Sequence, residues 1–231
     1  MYMKSLCKES LLATVLLIIT VFLFPIISQA EPTILSRASW GARPAIAHRD
    51  PPIKEVTTGN HRVAVENFMP ERKIALYLTV HHTARSASKL NLSDNLKSFQ
   101  RQMFKYTIDY ARGRSKEIHL GDIPYHYFID RNGGIGEGRE LKFAAYSNTV
   151  YKTPIENHIT VTLDGNFNNN QPTKGQIDAL TDLLEYLATT HGITRSNIRV
   201  HSDVAETECP GNNLKNKMAD IDKILATRGV K

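Results

Sequence analysis

Cysteine is almost absent from this chain, with two in 231 residues. Cys7 precedes a long apolar run, so Cys209 stands alone in everything after it. That remainder can form no internal disulfide, even in an oxidising compartment. Tryptophan is scarcer still, Trp40 being its single instance. No block of Lys and Arg interleaved with aromatics occurs, so the footprint of a nucleic-acid binder is missing. Repeats and low-complexity tracts are absent too, which excludes solenoids and biased linkers.

What is present begins with a leader. Lys4 and Lys8 form a basic start, Leu11 to Ile27 is almost wholly apolar, and Ser28-Gln29-Ala30 offers small residues where a signal peptidase cuts. The run is long for a signal core, leaving an uncleaved anchor as the alternative. Pro25 and the small-x-small site favour cleavage at Ala30. The expected product is exported, to a periplasm or beyond, with no stable membrane association after cleavage. About 200 residues remain, one domain of ordinary size that can bury a core without staples. The formal charge of +6 is spread along the chain, and the leader (Lys4, Lys8, Glu9) accounts for one of those charges.

Residues 31–73 read as an N-terminal arm packing on a domain at 74–231. The arm holds Pro32, Pro44, Pro51, Pro52 and Pro70, and a Thr-Thr-Gly-Asn turn, so an extended course is expected. Within it, Ser36 to Arg43 carries Trp40, read as an aromatic plug for a docked arm.

Ile74 to Val80 is a continuous apolar run of strand length, ending at His81 and His82. Ser93 is placed to cap a helix through Leu96, Phe99 and Met103, broken by Gly113 to Lys116. Pro124 to Asp130 predicts a strand and Arg131-Asn132-Gly133-Gly134 a hairpin turn. Gly133, Gly134, Gly136 and Gly138 imitate a phosphate loop, but no helix follows them. Ile159 to Leu163 is a further strand. Thr173 and Gln176 predict a capping box before Ile177, Leu180, Leu183, Leu184 and Leu187 at helical spacing, closed by Gly192. Asn197 to Val200 is a short strand ending in His201, and one last helix carries Leu214, Met218, Ile221 and Leu225. Alternating strands and helices make the class α/β, a central mixed β-sheet flanked by helices.

Two histidines thus end two strands, and the lone cysteine follows the second in V-H-S-D-V-A-E-T-E-C-P-G. Imidazole nitrogen and thiolate sulfur are ligand atoms that zinc prefers, and a catalytic zinc takes three protein ligands and leaves one position open. His81, His201 and Cys209 meet that description, and Cys209 is otherwise read as an inert buried thiol. A cysteine-nucleophile site with His201 as base is disfavoured, since Pro210 follows Cys209 with no helix N-terminus to depress the thiol pKa.

Five motifs in order, S-R-A-S-W-G-A-R, T-V-H-H-T-A, P-Y-H-Y-F-I-D-R-N-G, the Thr173 helix and T-E-C-P-G, resemble the type 2 N-acetylmuramoyl-L-alanine amidase family. That family includes the peptidoglycan recognition proteins and the amidase-type phage lysozymes. The resemblance runs from about Ser36 to the last helix. It implies the peptidoglycan-recognition-protein-like amidase fold, zinc on His81, His201 and Cys209, and peptidoglycan or muropeptides as partner. It also implies hydrolysis of the amide joining the lactyl group of muramic acid to L-alanine. Catalytic members have cysteine at the last ligand position and many non-catalytic relatives serine, so Cys209 argues for an enzyme over a binding module. Tyr125 matches the active-site tyrosine and Thr207 a substrate-facing position. Mild basicity suits an anionic cell wall.

Departures accompany the match. Ala144-Ala145-Tyr146-Ser147 stands where relatives have a Gly-Ala-His-like segment, and Thr162 stands where a related branch has a glutamate base. No general base is evident, and Lys105 to Leu120 is longer than relatives need. His82 lines the cleft or turns from it, and His126 points away from Tyr125. His48, His61, His119, His158 and His191 are read as surface or structural.

Overall fold

The computed structural model describes residues 31–46, 56–58, 61–63, 69–111, 120–146 and 151–231. The leader, His48, the side chain of His61, His119, Ser147 and the stretch 112–119 lie outside them. Among the described residues no helix is long and apolar enough to cross a membrane.

The arm begins with β1 (Ile34–Leu35) and α1 (Arg37–Trp40). Ser36 caps that turn by accepting the Ser39 N–H, and Gly41 ends it at φ 72, a left-handed conformation that glycine adopts freely. Trp40 is fully buried, and its Nε1–H donates to the Glu137 carbonyl at 2.8 Å. The plug is as expected, and among the described residues the arm also forms short regular elements. It supplies the sheet's edge strand, and β2 (Val56–Thr58) with β3 (His61–Val63) forms a separate antiparallel pair.

Strand β4 (Tyr77–His82) starts three residues later than the apolar run predicts. The N–H groups of Lys73 and Leu76 go instead to the carbonyls of Glu156 and Asn157, and Ile74 is left 71% exposed. Helix α2 (Leu92–Ala111) is capped by Asn91, not Ser93, since Asn91 Oδ1 accepts the Asp94 N–H at 2.9 Å. Leu96, Phe99 and Met103 are buried as predicted.

Strands β5 (Tyr127–Ile129) and β6 (Ile135–Glu137) form the expected hairpin. Asp130 Oδ1 sets its turn by accepting from Asn132 N–H and Gly134 N–H. β5 is shorter than the predicted 124–130 run because pairing turns irregular before Tyr127. Consecutive carbonyls of Tyr125 and His126 accept from consecutive N–H groups, those of Arg139 and Gly138. Such irregularities re-aim side chains.

Next come β7 (His158–Leu163), buried throughout, α3 (Lys174–His191) with the predicted Thr173–Gln176 capping box, and β8 (Ile198–Val200). One turn, α4 (His201–Val204), follows directly. The predicted last helix is two, α5 (Asn212–Lys215) and α6 (Met218–Thr227). Between them the Lys217 N–H reaches back only three residues to Leu214, and the tighter turn interrupts the α-helix.

The sheet order is β1-β6-β5-β7-β4-β8, parallel except for the β5–β6 pair. Leu78, Val80, Ile159, Val161 and Leu163 pack with Leu180, Leu184, Leu187, Ile221 and Leu225 in one core. A second core gathers Trp40, Leu96, Phe99, Met103, Ile123 and Phe128. Because side chains alternate along a strand, β4 and β7 turn a different row the other way: Thr79 and His81 beside His158, Thr160 and Thr162. A buried polar row must find partners or incur a desolvation penalty. At its end lies the candidate site.

Candidate metal centre

His81 sits near the C-terminal end of β4 in the sheet interior, where the strand holds its backbone rigid. Its neighbour β8 delivers His201, the first residue of α4 rather than the last of a strand. The Cys209 loop folds back on that turn. Ser202 N–H donates to the Cys209 carbonyl at 2.8 Å, and Cys209 N–H donates to Thr207 Oγ1 at 3.2 Å. One ligand atom from each of His81, His201 and Cys209 lies within 4.8 Å of the others. His81 Nδ1 and Cys209 Sγ are 3.6 Å apart. Tetrahedral zinc with bonds near 2.1 Å to nitrogen and 2.3 Å to sulfur puts those two atoms about 3.6 Å apart. The residues therefore fit zinc in donor type and in spacing.

Electrostatics agree with a cation there. Burial first, then His201, His158 and His82, holds His81 well below its ordinary pKa. Burial, then His82, brings His201 down to about 4. Both rings are neutral near pH 7, the form that ligates metal. Burial pushes the Cys209 thiol up to about 12, against a hydrogen bond from the His82 N–H at 3.4 Å. An activated nucleophilic thiol needs the opposite shift. A divalent cation would deprotonate it outright.

Tyr125 lies beside this cluster, its ring centroid 5.1 Å from that of His81. Burial, then Cys209, raises its pKa. The phenol therefore stays a donor. Thr162 pairs with His81 across β4 and β7 and is no base at neutral pH. Among the described residues no carboxylate joins the three-residue cluster.

The loop bearing Tyr125 is held by Arg139, which is 2% exposed. Its guanidinium donates to the carbonyls of Ile123 at 2.9 Å, Ala144 at 2.8 Å and Leu120. Ala144 is thus a buried support of that loop, and Ala145 beside it is buried too. On the other flank Thr207 lines a polar hollow of about 490 Å³ with Asn168, Ser202, Glu208, Asn212 and Lys215.

A profile of the family described as N-acetylmuramoyl-L-alanine amidase matches residues 71–212, more than half of the sequence. The chain belongs to this family. Among curated relatives of this amidase-family chain, the peptidoglycan-recognition protein SC2 of Drosophila melanogaster is 26% identical over 189 residues, covering 80% of this chain and 84% of the relative. The peptidoglycan recognition protein of Trichoplusia ni is 30% identical over 110 residues, or 47% and 58% of the two chains. The fold is shared with Drosophila PGRP-LB at TM-score 0.58 and 23% identity, over 81% of this chain and 92% of that one. It is shared also with the endolysin N-acetylmuramoyl-L-alanine amidase LysCS of Clostridium intestinale at TM-score 0.50 and 24% identity, over 67% and 88%.

In this amidase-family domain the other described histidine side chains find structural work. His82 is buried; its Nδ1 accepts the Phe167 N–H at 3.2 Å, so its backbone, not its ring, serves Cys209. His126 turns away, held by the Phe143 carbonyl at 2.9 Å and the Thr160 N–H at 3.0 Å. His158 is fully buried and structural, between Thr79 at 2.7 Å and Thr153 at 2.8 Å. His191, half-buried, closes α3. Sequence reasoning missed Tyr151, whose hydroxyl lies 3.0 Å from His81 Nε2, and Asp164, a buried carboxylate beyond β7. Neither stands in a pattern that announces its role.

Proposed function

We propose that this chain is a zinc-dependent N-acetylmuramoyl-L-alanine amidase, cleaving the amide between the lactyl group of muramic acid and L-alanine of the stem peptide. The observation that carries the reading is the convergence of His81, His201 and Cys209 at zinc-ligand spacing, beside a protonated Tyr125. Family membership supports it, as does the likeness to an endolysin named as an amidase. A variant of Drosophila PGRP-LB sharing this fold is solved in complex with tracheal cytotoxin, which supports a muropeptide as ligand. In the same reading, Met1 to Ala30 is a cleavable leader, residues 31–73 are an arm on the catalytic domain at 74–231, and the product is periplasmic or secreted.

Zinc held by the three residues supplies Lewis acidity, polarising the amide carbonyl and making water a better nucleophile near neutral pH. The protein's own groups do the rest. His82 N–H stabilises the Cys209 thiolate. Tyr125, buried and kept protonated, directs its O–H at charge developing on the carbonyl oxygen. Thr207 accepts from Cys209 N–H and keeps its own O–H free to meet the substrate amide from the wall of the polar hollow.

A second reading, a peptidoglycan-binding module without hydrolysis, is favoured by the curated relatives being named as recognition proteins. Purified protein starting at Glu31 separates the two. Stoichiometric zinc with chelator-sensitive release of stem peptide from muropeptides is expected. Zinc with binding but no release establishes the module, and chelator-resistant release overturns the metal mechanism.

A further inference from the structure

Tyr151 sits just ahead of β7 and touches both histidines of the metal centre. Its hydroxyl is 3.0 Å from His81 Nε2, with the rings inclined by only 17°. Its ring centroid lies 5.2 Å from that of His201.

The surroundings hold Tyr151 in place. Lys152 N–H donates to the Val204 carbonyl at 2.7 Å, tying the segment to α4, the turn that carries His201. Thr153 Oγ1 lies 2.8 Å from His158 Nε2, whose Nδ1 lies 2.7 Å from Thr79 Oγ1 on β4, two residues before His81. The Tyr151 ring meets His158 edge-on at 4.8 Å. A polar chain from Thr79 through His158 to Thr153 thus fastens this segment to the strand that bears His81.

A neutral imidazole has one N–H and one lone pair. His81 Nδ1 faces Cys209 Sγ at ligand spacing, so Nδ1 must offer the lone pair, and Nε2 carries the proton. The Tyr151 oxygen, 3.0 Å away, is placed to accept that proton. We propose that Tyr151 is the positioning residue of the metal centre, accepting the His81 Nε2–H and thereby fixing the tautomer and ring plane that present Nδ1 to zinc. This rests on the zinc reading above. It assigns to a neutral phenol the task that carboxylates or carbonyls perform behind many ligating histidines.

The test uses the protein from Glu31 and its Tyr151→Phe variant, which keeps the ring against His158 and His201 and removes only the acceptor. Zinc affinity is measured by competition with a chromophoric chelator, the ligand field from the visible spectrum of the cobalt(II)-loaded protein, and stability from the thermal midpoint of the metal-free form. Zinc affinity about 10- to 100-fold weaker, with an altered cobalt spectrum and an unchanged metal-free midpoint, is expected. Thr153→Val, which loosens the anchor without touching the centre, should weaken zinc in the same direction by less, and it decides the matter should Tyr151→Phe not fold. Unchanged zinc affinity in both variants overturns the assignment and leaves the amidase reading intact. A loss of metal-free stability with zinc affinity unaltered overturns it too, as that is packing alone. Wild-type protein that takes up no zinc sinks both.

Discussion

Cys209 Sγ lies 3.6 Å from His81 Nδ1, across 128 positions of sequence. That one distance puts a lone cysteine and a strand-end histidine at the spacing of two corners of a tetrahedral zinc site. Four consequences can be measured.

Cys209→Ser should abolish stoichiometric zinc binding, because a serine hydroxyl is not deprotonated where a thiol is. Zinc stabilises the wild type by mass action, about 2.7 kcal/mol when free zinc is 100 times its dissociation constant. For a chain of this size that is a rise of roughly 5–10 °C in Tm. The variant should melt where chelated wild type does; calorimetry with and without chelator checks this, and a zinc-dependent rise in Cys209→Ser would remove the ligand assignment.

Tyr125→Phe should keep its zinc yet lose turnover by about 10²- to 10³-fold, the usual effect of deleting one donor to a developing oxyanion. Metal analysis alongside a muropeptide release assay reads both quantities. Full activity would take the phenol out of the mechanism.

His126 ties metal-free stability to pH. Burial brings it down to about 3, with both ring nitrogens already engaged. The unfolded chain titrates near 6.5, so below that pH it binds a proton the folded protein refuses. The stabilisation is complete above about pH 6.5 and is lost as pH falls toward 3, by up to about 1.4 kcal/mol per pH unit. Urea unfolding of chelated protein at pH 7.5 and pH 5 should show the drop, and His126→Asn should make it shallower, the rest coming from the similarly lowered His81, His158 and His201. An equal slope in the variant would point to other groups.

Asp164→Ala should loosen the segment between β4 and α2. The buried carboxylate accepts from Ser88 N–H at 2.8 Å, Asn95 Nδ2 at 3.0 Å, Thr83 Oγ1 at 3.1 Å and Arg85 Nε at 3.3 Å. Leaving those donors unmatched costs about 2–4 kcal/mol, with the partly exposed Arg85 counting least. Hydrogen exchange should speed up at Ser88 and leave α6 protected until global unfolding. Unchanged exchange at Ser88 would mean the segment is held by something else.

The regular elements were legible wherever local chemistry decides them. The Thr173–Gln176 capping box, the apolar stripe of α3 and the Asx-type turn after Asp130 each depend on neighbours within a few residues, and each is where the sequence places it. Element boundaries slipped where a distant partner intervened. The start of β4 is moved by the carbonyls of Glu156 and Asn157, and the start of β5 by Gly138 and Arg139.

By itself the sequence determined the α/β class and the family, through motif order, and it nominated His81, His201, Cys209, Tyr125 and Thr207 by residue type. Only the tertiary structure decided that the three candidate residues converge, since parallel pairing of β4 with β7 and β8 sets their mutual register and no local pattern encodes it. It alone decided that the His82 backbone rather than its ring meets Cys209, and that the Tyr151 hydroxyl comes within 3.0 Å of His81 Nε2. Residue type states which atoms could bind a metal; which of them face one another depends on contacts between strands and loops far apart in the chain.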